Sequence, residues 1–112
     1  MIIAERTLFV SENGKQIELP IRLEAPQKSA DGETWTCCFS IGLPDRIFRN
    51  CMVGTDAFCA LDLAMRTIGS YLYSTTYHDE GRLSWLAPGA GYGFPIANSL
   101  RDLLIGDDAK YQ

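Results

Sequence analysis

The 112-residue chain has a single histidine, His78, and no apolar run approaching the roughly 20 residues a membrane-spanning helix needs. It also lacks a surplus of positive charge. Ten Lys and Arg stand against fourteen Asp and Glu, a formal net charge of −4, and the basic residues are scattered along the chain. Nucleic-acid binding relies on a concentrated basic footprint that releases counterions, so neither a nucleic-acid nor a membrane partner is expected. The four cysteines, Cys37, Cys38, Cys51 and Cys59, do not repeat the close knuckle spacing of a zinc site. No metal and no cofactor is expected. Internal repeats, low-complexity stretches and domain linkers are absent too, which excludes a repeat array or a disordered tail protein.

What the chain does have is a hydrophobic fraction of 46% in a length suited to one compact domain. The opening, Met1 to Arg6, reaches a charged pair too early for a secretory signal, so a cytoplasmic location is expected. There the cysteines would be reduced thiols acting as small apolar residues.

The first half has the period of strands. Ile2 to Val10 is rich in β-branched and aromatic residues, and Asn13-Gly14 predicts a tight hairpin turn. Ile17, Leu19, Ile21 and Leu23 then alternate with Glu18, Pro20, Arg22 and Glu24, with Pro20 marking an edge or a bulge. Trp35, Cys37, Phe39 and Ile41 form a second one-sided set, and a fourth strand is expected from about Arg46 to Val53. At Gly54-Thr55-Asp56 the period changes. Thr55 or Asp56 can cap a helix whose apolar stripe, Phe58, Leu61, Met65, Ile68 and Leu72, is joined by Ala57, Ala60 and Ala64, which let it lie close to the sheet, and runs to about Tyr73, with an Asp62–Arg66 pair on its flank. A further strand is expected within Arg82 to Ala87, and a short amphipathic helix within Ile96 to Ile105. The expected fold is α+β: an antiparallel sheet of about four to five strands, with one long helix and a short C-terminal helix packed on one face. Residues 1–106 would form the domain and 107–112 a frayed polar tail.

Chemistry is sparse. Gly89-x-Gly91-x-Gly93 has the look of an anion-binding loop, but Pro95 follows it and no helix opens on it, so a structural turn is the expectation. His78 could in principle act as a base, yet no order of nucleophile, base and orienting acid is visible around it, and no catalytic residue is assigned. The residues proposed to contact a ligand or partner are Tyr77, His78, Asp79, Arg82, Trp85 and Tyr92, since Tyr and Trp carry contact area at interfaces.

Several segments together resemble a family of short bacterial proteins catalogued as a domain of unknown function. They are Ile3-Ala4-Glu5-Arg6, Trp35-x-Cys37, Gly54-x-Asp56 before Ala60-Leu61-x-Leu63-Ala64, Tyr71-Leu72-Tyr73, Tyr77-His78, Gly91-Tyr92-Gly93-Phe94-Pro95 and Leu100-Arg101-Asp102-Leu103-Leu104. The likeness spans nearly the whole chain and implies a single domain. It implies no activity, and Cys59 stands where the family pattern carries Gln.

The functional expectation is a non-catalytic module that contacts a protein partner, as a homodimer through an open sheet edge or an aromatic patch. One specific form is an immunity-type protein whose acidic surface neutralises a basic toxin. The alternative is a small enzyme or ligand-binding domain with a pocket between the glycine-rich loop and His78.

Overall fold

A computed structural model describes residues 1–96 and 103–111. The chain runs through β1 (Ile2–Glu12), β2 (Lys15–Glu24), β3 (Gln27–Lys28), β4 (Trp35–Gly42), β5 (Ile47–Gly54), α1 (Ala57–Tyr73), α2 (Thr76–Asp79), β6 (Leu83–Ser84) and α3 (Gly106–Tyr111). All strand pairings are antiparallel. β1 and β2 form the hairpin that Asn13-Gly14 dictates. Both residues take positive φ, 50° and 78°, which matches the right-handed twist of the flanking strands.

β2 and β3 occupy successive stretches of one side of β4, with Ile21–Leu23 opposite 39–41 and Gln27–Lys28 opposite 35–36. β5 pairs with the other side of β4 along its whole length. The spatial order is therefore β5, β4, β2 with β3, β1, β6. Pro20 is paired with Thr7 of β1, and pairing with β4 begins only at Ile21, so the missing N–H falls where β2 is still edge-like.

Alternation puts Leu19, Ile21, Leu23, Cys37, Phe39 and Ile41 on the buried face. α1 lies across that face over β4 and β5. Asp56 caps it, accepting the Cys59 N–H at 2.7 Å, and Arg66 pairs with Asp62 at 3.0 Å. The buried stripe is the expected one except at Phe58. Ala60, Ala64, Ile68 and Leu72 are fully buried, Leu61 and Met65 flank them, and Phe58 is 83% exposed. The alanines let the helix backbone approach the sheet closely, and that rotates the larger side chains to the margins.

Three further expectations need correction. The strand expected within Arg82 to Ala87 is reduced to Leu83–Ser84, paired with Phe9 and Val10 of β1. The helix expected within Ile96 to Ile105 falls partly on 97–102, outside the described residues; α3 starts at Gly106, in the stretch read as a polar tail. Finally, the cysteines are not all thiols. Cys38 and Cys51 form a disulfide, because the β4–β5 register sets them directly opposite each other on the sheet face away from α1. Cys37 is buried as expected and Cys59 is also a free thiol.

Candidate functional site

The six residues singled out from sequence lie between the C-terminal end of α1 and the glycine-rich loop, and the fold joins four of them in two pairs. His78 Nδ1 and the Tyr92 hydroxyl share a hydrogen bond of 2.5 Å. Their rings meet edge to face, and Tyr73 packs against both. Arg82 lies over the Tyr77 ring at 5.4 Å, donates to Ser11 O at 2.7 Å and pairs with Glu80 at 2.8 Å. Trp85 receives the guanidinium of Arg6 at 3.9 Å from its ring centroid. Asp79 is exposed at the end of α2 and is not drawn into the cluster.

The centre of this region is a residue that sequence patterning does not reveal. Asp108, on α3, is only 3% exposed. Its carboxylate accepts the Tyr73 hydroxyl at 2.6 Å and the backbone N–H groups of Tyr92 and Gly93, each at 2.8 Å. The glycine-rich loop does cradle an anion, and the anion is the chain's own. Gly91 makes this possible: with φ of +91°, an added Cβ would sit 2.6 Å from Asp108 Cγ. Arg6 adds a positive charge and donates to the Tyr92 carbonyl at 3.1 Å.

The electrostatics follow from burial. The Tyr92 hydroxyl is pushed up to about 12, first by loss of solvent and then by the Asp108 charge. Tyr73 is raised further, by burial and by its hydrogen bond to Asp108. Both phenols are therefore protonated across the physiological range. Burial lowers Arg6 from the usual arginine value while Asp108 acts in the opposite direction, and the guanidinium stays charged. Among the described residues, no buried side-chain nitrogen or oxygen lacks a partner.

The cluster is thus a satisfied polar core that fastens α3 to the loop. His78 and Tyr92 line neither of the two larger clefts found. One, of about 200 Å³, is apolar and lies between β1, β2 and α1, lined by Ile21, Leu23, Met65, Ile68 and Phe94 among others. The other, of about 390 Å³, is a polar groove at the end of α1 with Arg46, Tyr71, Ser74 and Tyr77. Among the described residues, no group of three or more His, Cys, Asp or Glu side chains is arranged to hold a metal, and no helix is long and apolar enough to cross a membrane.

Sequence reasoning missed Asp108, and it singled out Arg6 and Tyr73 only as members of the family-like segments Ile3 to Arg6 and Tyr71 to Tyr73. The only signal for Asp108 was the glycine run itself, whose exposed amides call for an anion without saying which one.

No curated protein and no solved structure is significantly similar to the chain. A family model described as a domain of unknown function, DUF6968, matches residues 4–96, which is most of its length, and the chain belongs to that family.

Proposed function

We propose that the protein is a small, non-catalytic bacterial interaction module of the cytoplasm, and that it takes its protein partner at the free edge of β5. The observation that carries this reading is the character of that edge. β5 is eight residues long and pairs only with β4 among the described strands. Its side chains Ile47 and Val53 are 73% and 55% exposed. Soluble proteins usually blunt such an edge with proline, lysine or a bulge. Here the only charged residue in the strand is Arg49, and no proline interrupts it.

Two further points support the reading. The histidine and the tyrosines that chemistry would draw on are bonded to one another and hold the fold together. The net charge of −4 favours a basic partner of the immunity type in general terms. On the open face beside β5, however, Glu24 pairs with Arg49 and Glu5 with Arg22, so that surface is close to neutral. A partner there is recognised by backbone pairing and apolar contact.

The test is site-specific photo-crosslinking in expressing cells, with a photoreactive residue at Val53 and, as a control, at exposed Glu18 of β2. A defined protein adduct identified by mass spectrometry at position 53 and not at 18 is expected. Equal labelling at both positions, or none at 53, sinks the proposal.

A further inference from the structure

Resting on the reading of β5 as the docking edge, we infer that the partner is a second copy of this chain, added antiparallel to β5 about a two-fold axis through Asn50. The argument starts with the direction of the backbone groups. The Cys51 N–H does not bond to β4; it donates to the Asn50 side-chain oxygen at 2.9 Å. Peptide groups alternate along a strand, so Ile47, Arg49, Cys51 and Val53 direct their N–H and C=O groups to the free edge. Their side chains share the open face of the sheet with the Cys38–Cys51 disulfide. Phe48 and Met52 face the core on the other side.

Antiparallel pairing of two identical strands must be centred on one residue, and the choice of residue decides what meets what. A centre at Asn50 sets Ile47 opposite Val53 of the second copy, and by symmetry Val53 opposite its Ile47. The two exposed apolar residues of the edge then cover each other twice. Arg49 falls opposite Cys51 and keeps its own Glu24, 3.1 Å away, so no uncompensated like charges are opposed. Phe48 meets Met52 on the core face. A centre at Cys51 instead sets Arg49 against Val53 and Ile47 against Thr55, which strands both apolar residues.

The Asn50 centre therefore makes the edge self-complementary on both faces. The Asn50 side chain, which covers the Cys51 N–H in the single chain, is displaced by the incoming carbonyl. Edge pairing of this kind places the association in the weak class, with a dissociation constant on the order of micromolar. Main-chain hydrogen bonds supply the attraction and the Ile47–Val53 contacts fix the register.

Three measurements on the full chain decide the matter. Oxidation of Asn50→Cys should give a self-linked dimer, because the central residue faces its own counterpart. Val53→Cys treated alike should give none, since the two copies of position 53 lie at opposite ends of the pairing. Equal linking of the two variants, or none for Asn50→Cys, overturns the inference. Sedimentation of the unaltered chain from about 1 µM to about 500 µM should show a monomer–dimer equilibrium, and Val53→Lys should shift it at least tenfold towards monomer. A single monomeric species over that range overturns the inference whatever the variants do. If the Val53 photo-crosslink joins a different protein while the isolated chain stays monomeric, the second copy is wrong and the docking edge stands. If Val53 crosslinks to no protein, both fall.

Discussion

The two edges of the sheet are built in opposite ways. At one edge, β1 pairs with β6 for two residue pairs, and its Arg6 reaches Trp85 and the glycine-rich loop, which Asp108 of α3 holds. At the other, β5 pairs only with β4 among the described strands and is also joined to it covalently, by a disulfide. The closed edge depends on polar groups brought from far apart in the chain, with Arg6 and Tyr92 separated by 86 positions. The open edge is held by its hairpin with β4, by α1 packed over it and by the Arg49–Glu24 pair to β2. A closed edge is protected against strand addition and an open one is available for it, which is the asymmetry the proposed docking at β5 draws on.

The comparison breaks most strongly at Asp108. Asp108→Ala leaves the Tyr92 and Gly93 amides and the Tyr73 hydroxyl without their acceptor. An expected loss of about 4 kcal/mol, read from urea denaturation, follows from removing one member of a buried charged network. Hydrogen exchange should show the loop amides opening while those of β4 and β5 keep their protection. Uniform loss of protection would mean that the two edges are not independent.

Removing the covalent fastening at the other side should cost about 3 kcal/mol. That figure is the loop-closure entropy for a cross-link whose ends are 13 residues apart. The double variant Cys38→Ala/Cys51→Ala, compared with the oxidised chain, measures it, and exchange should now rise in β5 and not around Asp108. Alkylation in intact cells adds a further reading, because a reducing compartment would hold this pair as thiols.

A smaller and slower effect is expected from alkali, again confined to the closed edge. Tyr92 ionises near 10 in the unfolded chain and at about 12 in the fold, and Tyr73 shifts in the same direction. A raised folded value means stability is fully present below pH 10. Above that the unfolded chain releases protons that the folded chain keeps, and stability declines towards pH 12. Denaturation midpoints measured from pH 8 to 12 should be flat and then fall, with a shallower fall in Tyr92→Phe. A midpoint that stays level to pH 12 would show that these phenols are not held protonated.

How much could be foreseen from the sequence varies along the chain with the range of the interactions involved. Asn13-Gly14, the alternation of Ile17 to Leu23 and of Trp35 to Ile41, and the Asp56 cap all act over a few residues, and each produced the expected element. The helix stripe is legible too: Ala60, Ala64, Ile68 and Leu72 face the sheet as its period implies, and only Phe58 is turned out, because close approach of backbones at the alanines outweighs its burial. Cys38 and Cys51 are adjacent only through strand register, and neither their spacing nor their neighbours announces a bond. For the candidate residues the pattern is the same. His78 and Tyr92 stood out by type, while the geometry that joins them is set by Tyr73 and Asp108, 35 residues apart.

The sequence by itself determined the α+β class, the hairpin, the position of the long helix and the family, because side-chain periodicity and turn chemistry are local properties of the chain. Only the tertiary structure decided which anion fills the glycine-rich loop, which cysteines bond and which strand ends the sheet among the described residues. Each of these depends on which distant backbone and side-chain groups satisfy one another once the core has closed, and no local pattern encodes that.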